Sequence, residues 1–308
     1  MYAEGTVKNL KSQFRTYFLF CLKFGYAPLP STSDTMVCFV EYMSQFCGYK
    51  HIKHLVGAVR LLHRIFNVKF LINDYPLDTA LLSLKRKLAN TPLSVFPILP
   101  KTLLSMLMFA DLNQPETLAL WTAWLSGFFL MFRKKSLVPE SMAKFDPDTG
   151  LTRGKIAIHH KEGFALVYCN HSKVIQYRDR HVIIPLVGIP NSPLNVVEYL
   201  HRLFTTNPAP DSAPAFSYLK NGRLLCVTYA LFTKKLKEYL TLAGFNPTLY
   251  SGHSFRRGGA TWAYNSGCDP IMIKYSGDWK TDCFLDYVWV DLEQRYTAQM
   301  KMIAKLHS

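Results

Sequence analysis

The chain has 308 residues, a net charge of +15 and 49% hydrophobic residues. That hydrophobic share excludes a disordered protein and suffices for two cores or one large one. The charge points to a polyanion as partner, nucleic acid being the commonest, and it is spread: residues 1–100 hold 12 Lys/Arg against 5 Asp/Glu, which is +7 and leaves +8 for the remainder.

Val7, Leu10, Phe14, Phe18, Cys21 and Phe24 recur at helical spacing and predict a first helix. Ser31, Thr32, Ser33 and Asp34 offer caps for a second, which holds Met36, Val37, Val40 and Met43. A third carries Ile52, Leu55, Val59, Leu62 and Phe66 on one side and Lys53, His54, Arg60 and Arg64 on the other. A fourth runs from about Leu77 to Leu88 and ends in Lys85-Arg86-Lys87. These basic faces suit a phosphate backbone, and equally suit plain solvation. The proline-rich stretch 91–100 divides this helical domain, 1–90, from a second domain, 101–308.

Beyond it come helices over about 101–109 and 115–132. The apolar run Leu118–Phe132 is too short to span a bilayer and reads as a buried helix. Lys155–His159, Phe164–Tyr168 and Val182–Pro185 are β-rich runs with turns at Gly163 and Asn170. Asn191-Ser192-Pro193 opens a helix, Asn207–Pro214 is a loop, and helices return from about Thr228. The fold class expected is mainly α with a small antiparallel β-sheet, in two domains. Seven cysteines without a CxxC pair, and no signal-peptide pattern, lead to the expectation of reduced thiols inside a cell.

The stretch SGHSFRRGGATWAYNSGCDPIMIKYSGDWKTDCFLDY, residues 251–287, is the most informative. His253 and Arg256 are three apart at a helix opening and can share a face. Tyr287 follows in a run with helical character. Far upstream, Arg133 closes the apolar helix in LSGFFLMFRKKSL; an arginine after so apolar a run requires an anionic partner where it is buried.

HxxRxGxAT, a GDW some twenty residues on, a tyrosine eight residues after that Trp and an upstream arginine together resemble the tyrosine recombinase family, which shares its fold with type IB topoisomerases. The wording is similar to recombinases of DIRS- and Crypton-type mobile elements. The resemblance covers nearly the whole chain, and implies a DNA-breaking and rejoining clamp with a core-binding domain before a catalytic one. It implies Tyr287 as nucleophile, Arg133 and Arg256 as the phosphate clamp, and His253 as the residue handling the tyrosine proton or donating a hydrogen bond to the phosphate. It also implies a lysine from the small sheet as acid for the departing 5′ oxygen. Lys173 is preferred, before Lys161 and Lys155, because it precedes a basic strand ending in Ile-Pro-Leu. Arginine forks pair with phosphate oxygens without losing charge, and a tyrosine of pKa about 10 must lose its proton as it attacks. No metal, ATP or other cofactor is implied.

The family has His or Trp nine residues before the tyrosine; here that place holds Asp278, and Trp279 stands one residue late. Trp279, whose indole N–H can donate to a phosphate, is preferred for the slot. Arg257, with Lys53, Arg60, Arg64, Lys85, Arg86 and Lys87, completes the expected DNA contacts. Gly258 and Gly259 weaken a helix and so suggest close backbone approach, to DNA or to a neighbouring helix. His159, His160 and His171 show no metal-ligand spacing. Leu292–Leu306 forms a last helix whose apolar face packs on its own domain or docks on a neighbouring protomer. The resemblance implies double-stranded DNA as partner, a homotetramer on it, no membrane, and a nuclear location. Two other functions stay open: a domesticated DNA-binding protein without the reaction, and a topoisomerase that relaxes supercoils.

Overall fold

The structure, a computed structural model, describes residues 4–70, 74–88, 95–169, 182–279, 281–288, 290 and 292–304. The chain divides into two compact units, Met1–Leu93 and Ser94–Ser308.

The first unit holds the four helices expected: α1 (Glu4–Phe24), α2 (Ser33–Ser44), α3 (Tyr49–Ile65) and α4 (Asp74–Lys87). Thr32 caps α2, its hydroxyl accepting from the Thr35 N–H at 3.2 Å. On α3, Ile52, Leu55, Val56, Val59 and Leu62 fall three or four apart and are buried with Tyr17, Phe20, Phe39 and Leu84. Each such side chain stabilises the unit by ~1.5–3 kcal/mol. His63, also buried, accepts from the Ser31 N–H through Nε2 at 2.9 Å and donates from Nδ1 to the Val59 carbonyl, also at 2.9 Å. It is a satisfied core histidine.

Only part of 91–100 connects the units, because Phe96 N–H donates to Leu249 O (2.8 Å) and Ile98 N–H to Ser254 O (3.0 Å), with Ile98 fully buried. Residues 95–99 are therefore a docked strap of the second unit; 91–94 lie outside the described residues. Next come α5 (Pro100–Leu107) and α6 (Pro115–Phe129), each with proline at its first position, where no N–H is needed. Helix α6 is buried from Leu118 to Phe128 and is enclosed by helices that follow. It stops short of the expected residue 132. Met131 takes φ +51°, a left-handed conformation through which a helix of L-residues does not continue. Arg133 thus sits in a turn after the helix, as N-cap of the short α7 (Lys134–Leu137).

Strands β1 (Ile156–His159), β2 (Phe164–Cys169) and β3 (Val182–Val187) form one antiparallel sheet in that order, Ile156 facing Val167 and Cys169 facing Val182. Ala165, Val167, Ile184 and Leu186 point into the core, alternating with more exposed residues. Helix α8 (Val196–Thr206) follows. Then comes a hairpin that the sequence reading placed no strands in, β4 (Ser217–Lys220) and β5 (Arg223–Cys226). Its turn is Asn221-Gly222 with φ +51° and +72°, the pair a two-residue hairpin turn demands. Four helices complete the unit: α9 (Tyr229–Leu242), α10 (His253–Asn265), α11 (Pro270–Ser276) and α12 (Leu292–Ala304). Helix α6 packs against α8 and α10, and its Trp121 and Trp124 are buried at the centre of the core.

Candidate active site

Helix α10 starts at His253 with Gly252 at its N-cap position, and two serines hydrogen-bond around that start. The Ser251 hydroxyl accepts from the His253 N–H (3.1 Å), and the Ser254 hydroxyl accepts from the Ser251 N–H (3.0 Å). Three residues into the helix, Arg256 lies buried, 1% exposed, on the side that faces the turn after α6. Its guanidinium donates to the Met131 carbonyl, two residues before Arg133. Its carbon stands 3.8 Å from the centre of the Trp279 ring. The arginine therefore links the Arg133 turn, the start of α10 and the GDW segment.

The two glycines of α10 make this seating possible. A Cβ at Gly258 would overlap the Ile98 carbonyl, and one at Gly259 would overlap the Phe128 carbonyl of α6. The close approach is thus to this chain's own backbone, one of the two partners the sequence left open. Arg257 donates to the Val95 carbonyl at 3.0 Å and so pins the same strap.

Helix α11 ends in a paired cap: Asp278 N–H donates to Tyr275 O (3.1 Å) and Trp279 N–H to Lys274 O (3.0 Å). Asp278 holds the left-handed position of that cap at φ +52°, where glycine is usual. A Cβ at Gly277 would strike the Trp279 ring. The cap turns Trp279 inward, 5% exposed, among Met131, Ala260, Ile273 and Phe284. Phe284, its ring 5.9 Å from that of Trp279, anchors the 3₁₀ segment Asp282–Tyr287. Tyr287 is the last residue of this segment, which is 3₁₀ rather than α-helical; its side chain lies outside the described part.

His253 is exposed. Desolvation is nevertheless the first of the causes that hold its imidazole below the ordinary value, ahead of the positive charges of Arg256, Lys134 and Arg133. Of the lysines weighed, Lys155 is committed elsewhere: its ammonium donates to the carbonyls of Pro147 (2.8 Å), Asp148 (3.0 Å) and Gly150 (2.7 Å). Lys161 is exposed in the β1–β2 turn. Lys173 belongs to the connection 170–181 between β2 and β3 and lies outside the described residues, as does His171. His159 stacks on Phe164 (4.6 Å), and His160 meets Glu198 at 2.8 Å and stacks on His201 (3.9 Å). Among the described residues no group of three His, Cys, Asp or Glu could hold a metal ion, and no helix is long and apolar enough to cross a membrane.

Lys53, Arg60 and Arg64 are exposed along one side of α3, and Lys85, Arg86 and Lys87 are exposed in the last turn of α4. Cations at a helix C-terminus also complement its dipole, which gives the α4 run a structural reason of its own. On α12, Leu292 (82%), Tyr296 (65%), Met300 (48%) and Ile303 (45%) share one face and are all exposed.

The fold is that of integrases and site-specific recombinases. The integrase of transposon Tn1549, in complex with transposon right end DNA, superposes with a TM-score of 0.64 over 98% of this chain and 95% of that one, at 16% identity. XerH site-specific recombinase bound to palindromic difH substrate gives 0.57 over 87% and 69%, at 12% identity. In sequence, an integrase/recombinase xerD homolog of Selenomonas ruminantium is 24% identical over 280 residues, 88% of this chain and 77% of that protein. No protein-family model matches. These comparisons support the tyrosine recombinase and integrase family, whose members are DNA strand transferases. They do not single out the DIRS or Crypton kind.

Proposed function

We propose that this chain cuts and rejoins double-stranded DNA through a 3′-phosphotyrosine on Tyr287, as a site-specific recombinase or integrase of a mobile element. The tyrosine oxygen attacks phosphorus and the bond to the 5′ oxygen breaks. The tyrosine proton passes to His253, and the 5′ oxygen leaves as a hydroxyl after taking a proton from Lys173. Arg133 and Arg256 stabilise the charge that gathers on the phosphate oxygens. Reversal by another 5′ hydroxyl reseals the strand, so the bond energy is kept and neither ATP nor a metal is required.

The observation that carries this reading is the place of Arg256. One buried side chain touches the Arg133 turn and Trp279 while sharing a helix turn with His253, so motif segments far apart in sequence meet. An imidazole held below its ordinary value is neutral near pH 7, the form that accepts a proton. The exposed basic residues of α3 and α4 supply sequence-independent grip on the duplex. The uncovered apolar face of α12 favours docking on a neighbouring protomer, as in a tetramer on DNA; nuclear residence follows only from the mobile-element resemblance.

The test compares the wild-type chain with Tyr287→Phe on nicked duplexes bearing the parent element's ends. Binding by both with adduct formation by the first alone supports the reading. Tight binding without adduct from either leaves a DNA-binding protein that has lost the reaction.

A further inference from the structure

Lys134 follows Arg133 in the basic run Arg133-Lys134-Lys135. In the fold it is half-buried and points back under α10. Its stem occupies the place a Cβ would take at Gly252, the residue before His253. Its ammonium donates to the Thr233 hydroxyl at 3.1 Å and lies 3.5 Å from the centre of the Tyr229 ring, both on α9. Three elements thus converge on one side chain: the Arg133 turn, the N-terminus of α10, and α9.

We propose that Lys134 is a positioning residue for this site, seating the start of α10 against the Arg133 turn and fixing a permanent positive charge beside His253. The inference rests on the reaction proposed above. Its stem sets the spacing between Arg133 on one segment and the pair His253 and Arg256 on the other. A larger residue at Gly252 would have to displace that stem. The ammonium is held where it is by a hydroxyl and an aromatic face, so its charge stays beside the imidazole. The charged groups acting on His253 are Arg256 from its own helix, and Lys134 and Arg133 from the turn. All three are positive, and each disfavours the imidazolium. With Lys134 in place, His253 remains neutral, and able to take the tyrosine proton, to lower pH than it otherwise would.

Three variants separate stem from charge. Lys134→Met keeps an apolar stem of similar length and removes the ammonium. Lys134→Ala removes both. Gly252→Ala, made alone and in the Lys134→Ala background, probes the contact itself. Single-turnover cleavage of nicked duplexes is followed against pH, the His253 ring is titrated by NMR, and unfolding and DNA binding are measured on the same full-length proteins.

Lys134→Ala is expected to bind DNA but cleave about 10- to 100-fold more slowly, the cost of a misplacement near 1 Å at a reacting centre. Lys134→Met is expected to approach the wild-type rate at high pH. Its acid limb moves to higher pH, and the His253 titration moves in the same direction. Gly252→Ala destabilises the wild type and is tolerated once the stem is gone, a coupling that a surface lysine would not produce. If Lys134→Ala cleaves like the wild type and leaves the His253 titration in place, the inference is wrong. It is equally wrong if Lys134→Met loses as much as Lys134→Ala without moving that titration, because the ammonium then acts on DNA directly. Absence of any adduct from the wild type would overturn the proposed reaction instead; the titration and the Gly252 coupling would still test Lys134.

Discussion

Gly258→Ala separates two explanations of a glycine in the middle of α10. By helix propensity alone the change should stabilise by about 1 kcal/mol. In this fold the new methyl group would enter the Ile98 carbonyl, which is backbone and has no rotamer to yield. Either α10 shifts, at an overpacking cost of about 1–3 kcal/mol, or the strap 95–99 lifts. Lifting breaks the Ile98 N–H bond to Ser254 O, worth about 1 kcal/mol, and exposes a fully buried isoleucine worth about 1.5–3 kcal/mol. Subtracting the propensity gain of about 1 kcal/mol leaves a net loss of roughly 0–2 kcal/mol if α10 shifts and roughly 1.5–3 kcal/mol if the strap lifts. A loss of about 2 kcal/mol lowers the melting temperature of a unit of this size by roughly 4–8 °C. Because the chain has two units, hydrogen exchange at the Ile98 amide is the cleaner assay: protection should fall there before it falls in α6. A variant that is as stable as the wild type, keeps Ile98 protected and binds DNA poorly would refute this reasoning, and would return the glycine to a DNA-facing role.

Trp279→Phe should keep most cleavage activity and Trp279→Ala should lose most of it, with about 3–5 kcal/mol of stability, if an aromatic face beneath Arg256 is what the site needs. Equal loss in both variants, read by single-turnover cleavage, would assign the function to the indole N–H instead. Lys155→Met forfeits three carbonyl bonds and should destabilise by about 1–3 kcal/mol in urea titrations, while the folded fraction cleaves at the wild-type rate. A cleavage defect larger than the folding defect would contradict that placement. Lys173→Ala should fail on ordinary DNA yet cleave a substrate whose bridging 5′ oxygen is replaced by sulfur, because a thiolate leaves without an acid. No recovery on the sulfur substrate removes Lys173 from the acid's role.

Much of the fold was legible because its signals are local. The helices of the first unit announce themselves by residues such as Ile52, Leu55, Val59 and Leu62, and the sheet by alternation around Ala165 and Val167. The β4–β5 hairpin has an equally local signal: Asn221-Gly222 between two runs with apolar residues is a strong turn pair. The strap at 95–99 was hidden because prolines read as a connection whether or not the chain docks. Only Gly258, seen against Ile98, gives it a second trace.

At the site, the motif spacing singled out His253 and Arg256 as candidates and led to the expectation that they share a face. What spacing does not carry is depth. Arg256 is buried and His253 exposed, though both belong to one helical turn. The inward direction of Trp279 needed backbone angles, since the left-handed cap at Asp278 redirects the residue after it. Nothing in the sequence marks Lys134, because a lysine's long stem permits burial that composition does not announce.

The most direct test of the central claim is to trap the wild-type chain on a nicked duplex in the presence of chelator, digest the product, and map the DNA-linked peptide by mass spectrometry. The account predicts one linked peptide, modified at Tyr287 through a 3′ phosphate. Linkage to Tyr275, Tyr296 or any residue other than Tyr287, or an adduct that forms only when divalent metal is restored, would contradict it.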